Sequence, residues 1–177
     1  MAAKRLRDEA GDRDSDPSSN NRRMRTVPSL IFSKPLSLPI FTASKIEDNE
    51  NNPLRVILID ARRRSLPPVS LPSSVRVEIV ALDGDFPGER ETWTGSEFER
   101  GIVKERTGKR PLLTGDILLT LRDSSCAIGD LTFTDNSSWI RSRHFRLGAR
   151  LAPGSCPGLK VKEAMTERFM VKDHRGE

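Results

Sequence analysis

From Pro28 onward the chain alternates short apolar runs with clusters of Pro, Gly, Asn and Asp, a rhythm that predicts strands separated by tight turns. Leu54 to Ile59 is almost continuously apolar and β-branched, as a central strand requires. Val75, Val77 and Ile79 instead alternate with Arg76 and Glu78, as a strand with one wet face requires. Residues 36–41, 117–121, 128–133, 144–151, 159–162 and 168–172 complete about eight strands. Their spacing suits an immunoglobulin-like antiparallel β-sandwich over residues 28–177. One stretch breaks the period. Between Trp93 and Arg106 the apolar residues Phe98, Ile102 and Val103 lie at helical spacing, which predicts one short amphipathic helix. Ser96 and Glu99 fit a capping box at its start, and Gly108 and Pro111 are placed to stop it. Residues 1–27 carry almost no large apolar side chains, so they cannot bury enough surface to offset the entropy of ordering and are expected to form a disordered tail.

Composition adds a bias toward polar surface. The chain has 177 residues, of which 35% are hydrophobic and 31% charged. Thirty Lys and Arg against 25 Asp and Glu give a net charge of +5 and a pI near 9.6, a balance that suits a polyanionic partner without demanding one. No apolar run is long enough to span a bilayer and no signal-type core follows the basic start. No membrane association is therefore expected. Only Cys126 and Cys156 occur, so no disulfide framework is available and a reducing cytosol or nucleus is the natural setting. Within the tail, Lys4, Arg5 and Arg7 form one basic cluster and Arg22, Arg23 and Arg25 a second, separated by an acidic spacer. This is the pattern of a two-part nuclear localisation signal, and it is also what two solvated charge patches look like.

The densest candidate chemistry lies between Trp139 and Lys162, where Arg141, Arg143, Arg146, Arg150, Lys160 and Lys162 occur with no acid among them. If residues 144–151 form a strand, Phe145, Leu147, Ala149 and Leu151 face the core, and His144, Arg146, Gly148 and Arg150 face outward. The turn-rich connection 152–158 would return Lys160 and Lys162 beside the arginines, with Leu159 and Val161 turned inward, and complete a basic ridge. Arginines two or four positions apart on a strand span about 6.6–13 Å, which matches phosphate spacing along duplex DNA, about 7 Å. Arg141 and Arg143, in the segment leading into the strand, are the candidates for base contact. Trp139 either stacks or closes the end of the core, and its place at a loop–strand junction favours closure. The competing reading is an ordinary solvated face on which Arg146 and Lys160 pair with Glu78 or Glu163.

Other chemistries have less to stand on. Cys126, His144, Cys156 and His174 lack the short spacings of a zinc site, so no metal and no cofactor is expected. Asp83, Asp85, Asp130 and Asp135 fall in expected loops and raise a rival, a C2-like module that binds calcium and a membrane. A further rival is a protein-interaction sandwich that does not touch DNA. Two histidines on unrelated segments cannot assemble a nucleophile, a base and an orienting acid, so no enzymatic activity is expected.

Three stretches are recognisable together: Val56-Ile57-Leu58-Ile59-Asp60-Ala61, then Gly108-Lys109-Arg110-Pro111-Leu112-Leu113-Thr114-Gly115-Asp116, then residues 131–143 from Leu131-Thr132-Phe133 to Arg141-Ser142-Arg143. With Trp93-Thr94, Phe98 and the ending Val171-Lys172-Asp173-His174-Arg175-Gly176-Glu177, they resemble the plant calmodulin-binding protein 60 family. The resemblance implies a nuclear, DNA-binding transcription regulator of plant defence and salicylic acid signalling, with double-stranded DNA as partner and some members under calmodulin control. It also implies longer chains with further domains, so this chain is expected to be a lone first domain that can meet full-length relatives. Residues 1–27 lack the apolar anchors of a calmodulin-binding helix, so calmodulin is not expected to bind there.

Overall fold

The computed structural model describes residues 28–59, 75–155 and 160–173. The expected tail with its basic clusters, together with Cys156, Leu159 and His174, lies outside them. Within the described residues the protein is mainly β, with eleven strands and one short helix. Strands β1 (Ser29–Phe32), β3 (Leu54–Ile59) and β7 (Ser125–Ile128) form one antiparallel sheet in the order β1-β3-β7. Strands β10 (Ala164–Met165), β9 (Phe145–Leu151), β4 (Arg76–Asp83) and β6 (Leu118–Thr120) form the second, also antiparallel. Two ribbons add to these: β2 (Ile40–Phe41) beside β11 (Val171–Lys172) in parallel, and β5 (Leu113–Gly115) beside β8 (Leu131–Phe133) in antiparallel fashion. All four contribute to one buried cluster that includes Leu30, Val56, Ile79, Leu113, Phe133, Leu147 and Val171. That shared core makes the arrangement sandwich-like, as the alternation predicts.

Strand number exceeds the expected eight because turn chemistry cuts one apolar run that reads as continuous and three short strands escape the pattern, while residues 160–162 form no strand where one was expected. The run 128–133 divides at Gly129-Asp130, whose amides both donate to the Asp116 carboxylate, at 3.1 and 3.2 Å. Ile128 then belongs to the sheet of β3 and Leu131 to the ribbon with β5. Gly115, at φ +110, leaves room there for the Asp130 carbonyl, which would stand 2.2 Å from a Cβ. The runs 36–41 and 168–172 shrink to two-residue strands, with Leu36 and Phe169 held by isolated bridges to Asp48 and Phe145. Strands β1, β5 and β10 are too short or too irregular to stand out in the pattern.

The helix α1 (Gly95–Arg100) is shorter than expected and its cap lies two residues earlier. Its N-cap is Thr94, whose hydroxyl accepts from the Glu97 amide while the Glu97 carboxylate accepts from the Thr94 amide. Ser96 and Glu99 are not the capping pair. The helix ends at Gly101 because the next residues are taken up by the sheet: Val103 N donates to Ala81 O at 2.8 Å, and Ile102 bridges Leu82. β-edge pairing thus overrides the helical spacing of Ile102 and Val103.

Phe98 of α1, fully buried, lies on the outer face of β4 and β9 and forms a second cluster with Val80, Leu82 and Phe86. Gly148 makes this possible. A Cβ there would stand 2.8 Å from Leu82 and 2.9 Å from Phe98, closer than carbon atoms pack. β4 therefore changes character along its length. Glu78 is half-exposed, but Val80 and Leu82 on the same face are buried under the helix.

Candidate nucleic-acid interface

The six basic residues singled out by the sequence do not share one face. Arg146 and Arg150 project from β9 on the side that α1 covers, flanking Gly148, and both are half-buried. Arg150 is committed: Nε and Nη2 lie 2.9 Å from Glu78 Oε1, and Nη1 meets Glu99. Burial is the largest single influence on its guanidinium and acts to lower the pKa, but the hydrogen bonds and charges of Glu99 and Glu78 together outweigh it and raise it. Arg146 donates from Nη1 to the Thr166 carbonyl at 2.9 Å and from Nε to that of Gly84 at 3.4 Å. Glu78 is thus engaged by Arg150 rather than by Arg146 or Lys160, and Glu163 accepts from Trp93 Nε1 at 2.9 Å.

Lys160 and Lys162 are exposed, yet they do not form the expected hairpin beside the arginines. The returning chain begins to pair with β9 only at Ala164, whereas the backbone of Lys162 bridges Ser29 of β1, accepting from Leu30 N and donating to Pro28 O. The Lys162 ammonium stands 4.9 Å from the Trp93 ring centroid, a cation–π distance. These two lysines therefore flank the β1 edge of the molecule.

Arg141 and Arg143 have the opposite setting. Both are exposed in the loop between β8 and β9, and no described residue forms an ion pair with either. The loop is nevertheless firmly built. Asn136 Oδ1 accepts from the Ser138 amide and hydroxyl at 2.8 and 2.6 Å, and Asn136 Nδ2 donates to Asp173. Ser137, 1% exposed, donates its hydroxyl proton to the Arg143 carbonyl at 2.9 Å and accepts from Val171 N at 3.0 Å. These bonds hold Arg143 at φ +61, a left-handed conformation that costs a non-glycine residue roughly 1–2 kcal/mol. Trp139 packs on the main core and so closes the end of the sandwich, as its position in the sequence favours.

A basic residue that the sequence reading assigned to the helix completes this end. Arg106 donates twice to Asp135, Nε to Oδ2 at 2.8 Å and Nη2 to Oδ1 at 2.7 Å, and its guanidinium carbon stands 5.3 Å from the Trp139 ring centroid. The hydrogen bond from Arg106 holds the Asp135 carboxyl below the ordinary carboxylate range, with burial opposing. Thr134 joins the same two loops, its amide donating to Leu112 O and its hydroxyl to Pro111 O. Exposed Lys109 and Arg110 thus lie on a loop tied to the start of the loop that carries Arg141 and Arg143. Gly108-Lys109-Arg110 reads from sequence as a basic surface turn, and the basic density between Lys104 and Arg110 was the available signal. Its neighbour across the fold was not readable.

The acids that suggested a calcium module do not gather. Asp135 is held by Arg106, Asp83 accepts from the Asp85 amide, and among the described residues no group of three or more metal-ligating side chains occurs. Cys126 is buried, which pushes its thiol up to about 11 and leaves it protonated at neutral pH. Among the described residues no helix is long and apolar enough to cross a membrane.

Residues 28–174 match the family described as calmodulin binding protein-like N-terminal domain. Protein SAR DEFICIENT 1 of Arabidopsis thaliana is 55% identical over 149 residues, 84% of this chain and 32% of that protein. Calmodulin-binding protein 60 B of the same plant is 51% identical over 149 residues, 84% of this chain and 23% of that protein. Calmodulin-binding protein 60 G is 46% identical over 166 residues, 93% of this chain and 27% of that protein. The chain therefore spans a third or less of the length of these relatives.

Proposed function

The chain belongs to the calmodulin-binding protein 60 family, and from that premise we propose that it is a duplex-DNA-binding regulatory domain with a role in plant defence and salicylic acid signalling. The observation that carries the reading is that Arg141 and Arg143 stand exposed on a loop pinned by Ser137, whose first residues, Thr134 and Asp135, are tied to the loop that carries Lys109 and Arg110. A preordered loop loses little entropy on binding, and arginines without carboxylate partners are available to phosphates and guanine edges. Arg146, Lys160 and Lys162 supply at most peripheral attraction, and Arg150 is occupied by Glu78 and Glu99. Mobility shifts of random duplexes across a salt series test this. Binding should fall steeply with salt, and Arg141→Ala/Arg143→Ala should weaken it and reduce the log–log slope by about 0.9 for each lost phosphate contact. Undetectable or salt-insensitive binding, or an unchanged slope in the double variant, would refute it.

Nuclear action accompanies this reading, with Lys4, Arg5, Arg7, Arg22, Arg23 and Arg25 as the import signal. A reporter fused to residues 1–27 should enter the nucleus, and one that stays in the cytoplasm removes the signal. The relatives' names bring calmodulin back among the candidate partners, against the expectation drawn from residues 1–27. The helix α1 offers it little, since Phe98, its one large apolar side chain, is fully buried. Calcium-dependent binding of labelled calmodulin at micromolar concentration would establish that second partner.

A further inference from the structure

Strands β1 and β10 are edge strands of the two main sheets, and a bridge between Ser29 and Lys162 joins the two sides of their seam. Three depressions follow that seam, of about 420, 440 and 640 Å³. The first and second share Phe32 and Met165, and the second and third share Trp93, Lys162 and Glu163. Together they make one elongated groove beside the chain from Arg168 back to Lys160, up to about 26 Å at ~3.3 Å per residue. Apolar side chains are interspersed with polar ones along its walls. Phe32 and Met165 are half-buried, while Ile31 and Leu38 remain 37% and 58% exposed. Large hydrophobic side chains exposed along one groove mark a surface that gains from being covered.

Both ends of the groove are cationic. At one, Arg146 is half-buried yet bonded only to carbonyls, and Arg168 approaches Asp85 no closer than 3.5 Å. Burial lowers the Arg146 pKa, Glu167 opposing and Arg168 adding to the effect, which is the mark of a charge short of counter-charge. At the other end Lys160 has no ion-pair partner among the described residues, and Lys162 has the face of Trp93. The groove's own acids are Glu163, which keeps its charge while accepting from Trp93 Nε1, and Glu167, two carboxylates against the four cations Arg146, Arg168, Lys160 and Lys162.

We propose that this groove binds an extended acidic peptide segment of a partner protein. Its apolar side chains seat on Ile31, Phe32, Leu38 and Met165. Its carboxylates meet Arg146 and Arg168 at one end and Lys160 and Lys162 at the other. Charge complementarity and shape select this occupant. A phosphate backbone gains nothing from an apolar floor, and a compact ligand fills only one of the three depressions. The groove is separate from the Arg141–Arg143 loop, so this inference does not rest on DNA binding.

Panning a random display library of peptides about ten residues long, enough at ~3.3 Å each to run the groove, against the full chain tests it. The selected sequences should combine Asp or Glu with Leu, Phe or Met. The strongest, synthesised with a fluorescein label, should lose about tenfold or more in affinity on Leu38→Asp and on Lys160→Glu/Lys162→Glu. These positions are exposed, and unchanged thermal unfolding of the variants checks that the fold is kept. Arg141→Ala/Arg143→Ala should leave peptide binding unchanged. Selection of basic or uncharged sequences, no selection at all, or full binding to both groove variants would overturn the proposal. Displacement of the labelled peptide by duplex DNA would overturn it as well, because the groove's cations would then serve nucleic acid.

Discussion

Arg141 and Arg143 precede Arg146 and Arg150 by only a few residues, yet the two pairs live under different physics. The first pair stands on a loop whose hydrogen bonds are satisfied by Asn136, Ser137 and backbone, so the guanidinium groups are left to solvent. The second pair rises from β9 into the shadow of α1, where Phe98 lies against Gly148 and carboxylates or carbonyls occupy each arginine. Identical side chains thus stand as solvent-facing charge on the loop, as an ion-paired tie at Arg150, and at Arg146 as a half-buried cation bonded only to carbonyls. What separates them is whether a neighbouring element covers the surface from which they project. A helix of six residues is enough, because its single buried aromatic ring desolvates the strand beneath it.

The comparison breaks most visibly at Gly148. Gly148→Val places methyl groups where Phe98 and Leu82 already stand, and overpacking of this kind costs about 1–3 kcal/mol. Urea unfolding should show that loss while the loop arginines keep any DNA affinity of the surviving folded protein. Arg150→Ala comes next. It leaves Glu78 and Glu99 without their shared cation, and since both acids retain solvent contact the cost is about 1–2 kcal/mol, below that of a fully buried pair. A loss of DNA affinity without any loss of stability in that variant would place Arg150 with the loop pair instead.

Arg143→Gly sharpens the contrast from the other side. Glycine accepts φ +61 without strain, so thermal unfolding should show a gain of about 0.5–1 kcal/mol after the entropy of the more flexible unfolded chain is counted. DNA affinity should fall at the same time, a combination expected only where backbone strain supports a binding side chain. The smallest effect belongs to Asp135→Asn. Because Arg106 depresses the Asp135 pKa in the folded state, the stabilisation is present above the unfolded carboxylate pKa, about 3.9, and is lost as pH falls through the folded value. The variant should therefore unfold at a lower urea midpoint than wild type near about pH 6, with the difference narrowing below about pH 3.9 and closing once the pH passes the depressed folded value.

Much of the β architecture could be read from alternation. β3 is the central strand its continuous apolar run implies, and Val77 and Ile79 face the core while Glu78 does not. Reading failed where a contact from far along the chain, by side chain or backbone, reset local structure. Asp116 splits the run at Gly129-Asp130, and Ala81 draws Val103 out of a helix. The candidate site divides in the same way. Exposure of Arg141 and Arg143 followed from a loop dense in Asn and Ser, whereas the partnership of Arg106 with Asp135, 29 residues away, had no local signature.

From its order of apolar and polar residues alone, the chain was bound to form short antiparallel strands around one core, with a surplus of positive charge on its surface. Which charges stay free was settled only by packing. Hydrophobic period acts between near neighbours and survives in the sequence, but the solvation of an arginine depends on what the fold brings against it. Here that means α1 over β9, and β1 beside the segment that carries Lys160 and Lys162.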